Sequence, residues 1–154
     1  MQGWNIKRLA IVVIVSATAM AAFGQSNEFL DSLVQSKAVT FGQVSYLVLV
    51  SSDNIGEDTD VGRAFEFLQH VGWAPRRAKV DATIRLDEYA LILSRAFDIR
   101  GSLMARLFPS PHYAYHSLAS LEVIQGKSDP SMSVSGVQAI QMLGRVFDVL
   151  GLNK

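Results

Sequence analysis

Thr83–Phe97 reads Thr-Ile-Arg-Leu-Asp-Glu-Tyr-Ala-Leu-Ile-Leu-Ser-Arg-Ala-Phe, and Ser133–Phe147, fifty positions later, repeats its pattern as Ser-Val-Ser-Gly-Val-Gln-Ala-Ile-Gln-Met-Leu-Gly-Arg-Val-Phe. The two segments align without a gap, and the identical pairs are Leu93 with Leu143, Arg95 with Arg145, and Phe97 with Phe147. Both have apolar residues at helical spacing. This pattern indicates a repeat of helices, and no set of residues along the chain identifies a reaction.

A third, degenerate copy precedes these two. Thr40–Ser51 falls on Thr83–Ser94 when it is shifted by 43 positions. Taken alone, Tyr46–Val50 is typical of a buried strand, because β-branched and aromatic residues are dense there. The repeat instead predicts that it belongs to a buried helix.

Each of the last two copies also contains a first helix. Gly62–Trp73 and Ala114–Gln125 carry apolar residues at a spacing of three and four. We expect Gly72 and Gly126 to end these helices, because glycine readily adopts the left-handed conformation that follows many helices. The sequence therefore predicts an all-α fold, a single domain of three degenerate helix-pair repeats forming a helical bundle.

The last repeat contains signals for both ends of its second helix. Ser135 is followed three residues later by Gln138, the spacing of a capping box, so we expect Ser135 to cap the helix. Gly151 is placed to end it.

The N-terminus has the pattern of an export signal. Lys7 and Arg8 precede the uncharged, apolar or small run Leu9–Phe23, which predicts a signal peptide over residues 1–24 and cleavage before Gln25. An uncleaved anchor is the alternative, but about fifteen helical residues span about 23 Å, less than the hydrocarbon core of about 30 Å. We expect residues 25–154 to form the helical domain, exported to the periplasm or the cell exterior and soluble after cleavage, with no stable membrane span.

The composition narrows the functional classes. The chain of 154 residues has no cysteine. Disulfides therefore cannot stabilise its fold, and a lipidated cysteine cannot anchor it to a membrane. Without Lys7 and Arg8, 12 basic side chains remain against 14 acidic ones. This slightly negative balance argues against a nucleic-acid partner, since phosphate binding needs a basic face.

The repeat unit resembles the S-layer homology domain. That family has units of about fifty residues, each with a helix, a glycine-containing connector and a hydrophobic-x-x-x-Glu-aromatic-Ala start to its second helix. The matching residues of the middle copy are Ala64, Leu68, Gly72, Ile84, Glu88, Tyr89, Ala90, Leu93 and Ala96. The last copy matches more loosely, at Ala114, Leu118, Leu121, Gly126, Val134, Gln138, Leu143 and Val146. The resemblance implies a three-repeat bundle that binds an anionic cell-wall polysaccharide.

The chain departs from this family at the Thr-Arg pair that precedes the Glu-containing helix. In the family, the arginine of this pair helps to bind the polysaccharide. The corresponding pairs here are Gly42-Gln43, Arg85-Leu86 and Ser135-Gly136. No copy has an arginine at the second position, and Arg85 is the candidate for a partial substitute.

A basic cluster beside a tryptophan is the candidate glycan-binding site. It consists of Trp73, Arg76, Arg77, Lys79 and Arg85. Cations supply charge for an anionic polymer, and an indole offers a face for a sugar ring. The alternative is a solvated basic turn. The leading function is therefore a non-catalytic envelope module that binds peptidoglycan or an associated cell-wall glycan.

The rival function is a structural or protein-interaction subunit of an envelope complex. Its contacts with another envelope protein would be made by exposed apolar and aromatic residues, namely Leu107, Phe108, Tyr113 and Tyr115.

Neither catalysis nor a cofactor is expected. Asp87 and Glu88 are adjacent, so on a helix they point about 100° apart rather than facing each other as paired acids. His112 and His116 have the spacing of helical metal ligands, but Pro111 suggests that His112 only enters the helix. The chain also lacks the nucleophile-elbow, P-loop and zinc-protease motifs. We therefore expect no enzyme, no metal and no cofactor.

Overall fold

The computed structural model describes residues 27–100, 109–126 and 128–152. The predicted signal peptide lies outside the described residues. Helix α1 spans residues 27–35. The other helices are α2 (Phe41–Ser51), α3 (Val61–His70), α4 (Leu86–Ala96), α5 (Pro111–Ser120) and α6 (Gly136–Leu150). The described residues contain no strand beyond two isolated bridges, Thr40 with Thr83 and Arg85 with Ser133, which confirms the all-helical prediction.

The chain divides after Ser32, and helices α2 to α6 lie in the unit that begins at Leu33. In the first unit, the Ser32 hydroxyl donates to the Phe29 carbonyl at 2.7 Å, within α1. In the second unit, the most extensive helix contacts join α2 with α3 and α4 with α5. The sequence grouped α3 with α4 in one repeat, so this packing crosses the predicted repeat boundary.

The N-termini of α2, α4 and α6 share one arrangement. Their first amides donate to the carbonyls of a neighbouring segment: Phe41 to Ala82, Leu86 to Met132 and Gly136 to Ser36, each at 2.9 Å. The first segment thus docks on the second, the second on the third, and the third returns to the turn before the first. These bonds form a closed ring and satisfy amides that a helix cannot pair internally.

Three apolar residues lie inside this ring, one immediately before each N-cap residue. Val39, Ile84 and Val134 have no exposed surface. The Ile84 amide donates to the Val39 carbonyl at 3.0 Å, and the Val39 amide donates to the Val134 carbonyl at 2.8 Å. Burying these side chains beside paired backbone groups fixes where the three helices begin.

The ring corrects the register of the first copy. The N-cap residues are Thr40, Arg85 and Ser135, so the first two helix starts are 45 positions apart rather than 43. Sequence matching had paired Thr40 with Thr83, but Thr83 lies two residues before its cap. With this register, the pair that begins at the cap residue is Thr40-Phe41 in the first copy, not Gly42-Gln43. The second position still has no arginine.

The helix ends follow the predictions in part. Val44, Val48 and Leu49 of α2 have no exposed surface, which confirms a buried helix over Tyr46–Val50. Gly72 and Gly151 are left-handed just after α3 and α6, as predicted. Gly126 is wrong as the end of α5. That helix ends at Ser120 and Glu122 is the left-handed residue that follows it, while Gly126, also left-handed, lies four residues further on.

The capping predictions also hold in part. The Ser135 hydroxyl accepts from the Gln138 amide at 3.2 Å, as expected. The complete capping box is found at α2, where the Gln43 side chain also accepts from the Thr40 amide at 3.0 Å.

Tyr89 joins two of the three segments in the core. It has no exposed surface, and its hydroxyl donates to the Ala139 carbonyl of α6 at 2.8 Å. Tyr89 and Ala139 are both four residues after their caps. At the far ends of the same helices, the rings of Phe97 and Phe147 pack edge to face with centroids 5.5 Å apart.

Two glycines of α6 test the ring. A Cβ on Gly136 would overlap the Leu33 carbonyl, whereas a Cβ on Gly144 would meet nothing within 4 Å. We expect Gly136→Ala to lower the free energy of unfolding by about 1–3 kcal/mol, because the backbone must shift. Gly144→Ala should raise it by about 0.5–1 kcal/mol. Urea unfolding of both variants measures the difference, and equal effects would contradict this close approach.

Tyr89 makes the free energy of unfolding depend on pH in the alkaline range. Burial raises the pKa of Tyr89 well above its ordinary value, so the folded state favours the neutral phenol. Its contribution is fully present below about pH 10, the unfolded pKa, and decreases as pH rises above it. We expect Tyr89→Phe to lower the free energy of unfolding by about 1 kcal/mol at pH 7. Its difference from the wild type in this free energy should be smaller at pH 11. Urea unfolding at both pH values tests this, with Tyr113→Phe as control. A constant gap would contradict it.

Candidate functional site

A cleft of about 490 Å³ lies between α4, α5 and the turn after α3. Its apolar wall consists of Trp73, Leu91, Ile99, Pro109 and Ala114. Its polar lining consists of Ser94, Arg95, Asp98, Arg100, Ser110 and Ser117. The close packing of α4 against α5 holds the two sides of the cleft together.

Two serine hydroxyls in the cleft have no partner. Within the part of the chain that the structure describes, the buried Oγ atoms of Ser94 and Ser117 make no hydrogen bond. The Ser117 residue is only 7% exposed. Ser45, which is also buried in a helix, donates instead to the Phe41 carbonyl four residues earlier, at 2.6 Å. An unpaired buried hydroxyl costs free energy, so the Ser94 and Ser117 hydroxyls destabilise the fold slightly at their positions on α4 and α5.

Arg95 supplies an unpaired charge to the cleft. Within the described ranges it forms no ion pair or side-chain hydrogen bond, whereas Arg100 pairs with Asp98 at 3.7 Å. The equivalent arginine of the last copy is Arg145, whose Nη1 donates to the Val123 carbonyl at 3.1 Å. The aligned arginine thus has a structural use in α6, while Arg95 in α4 has no such partner among the described residues.

Trp73 occupies the position that Val123 has in the last copy. Both follow a left-handed residue, and both amides donate back to a helix: Trp73 to the Leu68 carbonyl at 3.0 Å and Val123 to the Leu118 carbonyl at 2.9 Å. Val123 has no exposed surface, whereas Trp73 is half-buried and lines the cleft. The difference between the two copies therefore lies in the side chains of equivalent backbone positions.

The predicted basic cluster is divided in the structure. Trp73 lines the cleft, while Arg76, Arg77 and Lys79 are exposed on the connector before α4 and lie outside the cleft lining. None of these three cations forms an ion pair with another described residue. They supply exposed positive charge close to Trp73 in sequence.

Arg85 is held by its own helix. Its Nη2 lies 2.6 Å from Asp87 Oδ2, and its Nε lies 3.0 Å from Asp87 Oδ1. The hydrogen bonds to this largely buried carboxylate raise the pKa of Arg85. The Glu88 carboxylate accepts from the Arg85 amide at 3.0 Å, and Asp87 Oδ1 accepts from the Glu88 amide at 2.9 Å in place of a side-chain cap. Arg85 is therefore half-exposed but already neutralised.

The aromatic residues predicted to bind a protein are only partly described. Leu107 and Phe108 lie outside the described residues. Tyr113 and Tyr115 are half-buried, and the Tyr115 hydroxyl donates to the Ser128 carbonyl at 2.5 Å. Tyr115 thus anchors the connector before α6.

Pro111 starts α5, with Ser110 as the cap, so His112 lies at the entrance of the helix, in its first turn, as expected. His112 and His116 are exposed on consecutive turns, with ring centroids 4.5 Å apart. Among the described residues there is no group of three or more side chains suited to a metal ion.

Sequence reasoning missed Ser94, Arg95 and Ser117. Each resembles an ordinary polar residue on an amphipathic helix. The sequence pattern does not indicate that the hydroxyls of Ser94 and Ser117 are buried. The alignment of Arg95 with Arg145 could have pointed to Arg95. The two arginines are followed by different segments, so they need not have the same partner.

Comparisons with protein-family models, with curated proteins and with solved structures return no match for this chain. Among the helices of the described residues, none combines the length and apolar character needed to cross a membrane. The candidate site is therefore described from the residues and geometry of this structure alone.

Ser117 offers a test of this geometry that needs no ligand. We expect Ser117→Ala to raise the free energy of unfolding by about 1 kcal/mol, because it removes an unpaired buried hydroxyl. Ser120→Ala on the same helix is the control, since its exposed hydroxyl donates to the Ser117 carbonyl at 2.8 Å. Thermal and urea unfolding measure both variants. A marked loss of stability in Ser117→Ala would show that the hydroxyl has a partner.

Proposed function

We propose that this protein is an exported, non-catalytic envelope module that binds peptidoglycan or an associated cell-wall glycan. The observation that carries the proposal is the position of Trp73. Its half-buried indole lines the same cleft as the unpaired Arg95 guanidinium. An accessible indole beside cations suits a sugar ring that carries negative charge.

The exposed connector adds to this surface. Arg76, Arg77 and Lys79 follow Trp73 within six residues and carry three positive charges. Exposed cations attract an anionic polymer over a range set by the Debye length, about 10 Å at 0.1 M salt. Arg85 contributes less, because Asp87 already neutralises it. The resemblance to the S-layer homology domain supports the same class of ligand.

Sedimentation with purified cell-wall sacculi tests the proposal. We expect the protein to pellet with sacculi at low salt and to be released as salt increases. Arg76→Ala combined with Arg77→Ala should reduce pelleting several-fold, as should Trp73→Ala. These arginines are exposed, so the double variant should fold normally.

Arg63→Ala is the matched control, since Arg63 is exposed and lies on α3 with Asp60 as its partner. It should pellet as the wild type does. Failure of the wild type to pellet at any salt concentration would overturn the proposal and favour the rival function, a subunit that binds another envelope protein.

A further inference from the structure

Two exposed imidazoles lie side by side on α5, outside the cleft. His112 and His116 are four residues apart on this helix, so they project from the same face on consecutive turns. Both residues are exposed, and their ring centroids are 4.5 Å apart. Neither belongs to the lining of the cleft. The pair is therefore accessible and has no part in the candidate glycan site.

The ring nitrogens of this pair are not used by the fold. Each imidazole packs edge to face on a neighbouring tyrosine ring, His112 on Tyr113 and His116 on Tyr115, with centroids 5.4 Å apart in both cases. Within the part of the chain that the structure describes, neither imidazole forms a hydrogen bond or an ion pair. Imidazole nitrogen is the commonest protein ligand of metal ions. A metal ion could therefore bind here without breaking any bond of the fold.

The separation of the two rings suits a single metal ion. A metal–nitrogen bond of about 2.0–2.1 Å places the centre of each ligating ring about 3.2 Å from the ion. Two such rings at a right angle around the ion have centres about 4.5 Å apart, and at the tetrahedral angle about 5.2 Å apart. The observed 4.5 Å matches the right angle. The χ2 torsion of histidine is broad, so each exposed ring can turn a nitrogen toward the ion.

This geometry and the ligand type favour copper. Nitrogen ligands at right angles are typical of Cu(II) and Ni(II), whereas Zn(II) prefers a tetrahedral arrangement. Cu(II) also binds a given nitrogen site most tightly among the divalent first-row metals. Magnesium and calcium are unsuited, because they take oxygen ligands. The chain has no cysteine, so no thiolate of its own competes for the ion.

The backbone of α5 holds the two histidines in place. The helix begins at Pro111 with Ser110 as its cap, so both histidines lie within it. It packs extensively on α4, and the Tyr115 hydroxyl donates to the Ser128 carbonyl of the following connector. Ligands on packed helices are held more precisely than ligands on loops. Binding an ion would therefore require only rotation of the two side chains.

We propose that His112 and His116 form a binding site for Cu(II), with one nitrogen of each imidazole as a ligand. Among the described residues no third side chain of a metal-binding type joins them, so the other positions on the ion are open to water or to a ligand from another molecule. In tight sites the second ring nitrogen usually donates to a carboxylate or a carbonyl. No described residue accepts from these rings, so we expect a Kd in the micromolar range.

Calorimetric titration of the purified protein with Cu(II) tests the proposal. We expect tighter binding of Cu(II) than of Ni(II) or Zn(II), and no binding of magnesium. His112→Ala and His116→Ala should each weaken Cu(II) binding at least about tenfold, because one imidazole cannot chelate. Both residues are exposed, so these variants should fold normally. Circular dichroism checks that they do.

His70→Ala is the matched control. His70 is the third histidine of the chain and is exposed at the end of α3. This variant should bind Cu(II) as the wild type does. Electron paramagnetic resonance of the Cu(II) complex identifies the ligands independently of affinity. It should show two imidazole nitrogens in the wild type and at most one in either α5 variant.

Wild-type affinity in His112→Ala or His116→Ala would overturn the proposal. An equal loss in His70→Ala, or a complex with fewer than two imidazole nitrogens, would also overturn it. The inference is independent of the proposed function, so the double variant should pellet with sacculi as the wild type does. Pelleting without Cu(II) binding would overturn this inference alone. Cu(II) binding without pelleting would overturn the proposed glycan-binding function alone.

Discussion

The fold depends on how three helix N-termini satisfy their first amides. A helix leaves its first amides without internal partners, and burying them unpaired is costly. Here the first amides of α2, α4 and α6 each find a carbonyl in a neighbouring segment, and the third segment returns to the first. The arrangement is cyclic, so displacing one segment leaves first amides unpaired both in that segment and in the segment that docks on it.

The ring sets the position of the core. Val39, Ile84 and Val134 are buried at its centre, and the helices that follow bring equivalent residues together. The bond from Tyr89 to the Ala139 carbonyl and the contact between Phe97 and Phe147 both join equivalent positions in two segments. Gly136 is required because α6 approaches the Leu33 carbonyl too closely for a Cβ.

The candidate site arises where the copies differ. The backbone turns before Trp73 and Val123 are alike, so the framework is the same in both places. In one copy valine fills the position and Arg145 bonds its carbonyl, while in the other Trp73 and Arg95 line a cleft. A scaffold held by main-chain bonds tolerates such changes, because its hydrogen bonds do not involve these side chains. A binding site can then form without loss of the ring.

The amino-acid pattern alone predicted the all-helical fold, the buried helix through Tyr46–Val50 and the caps at Ser135 and Gly151, because these depend on local spacing and turn chemistry. It misplaced the first copy by two residues, since matching threonines ignores which apolar residue is buried before the cap. The separation of Trp73 from Arg85 and the unpaired hydroxyls of Ser94 and Ser117 had no local signature. They depend on which groups meet when segments distant in sequence pack together.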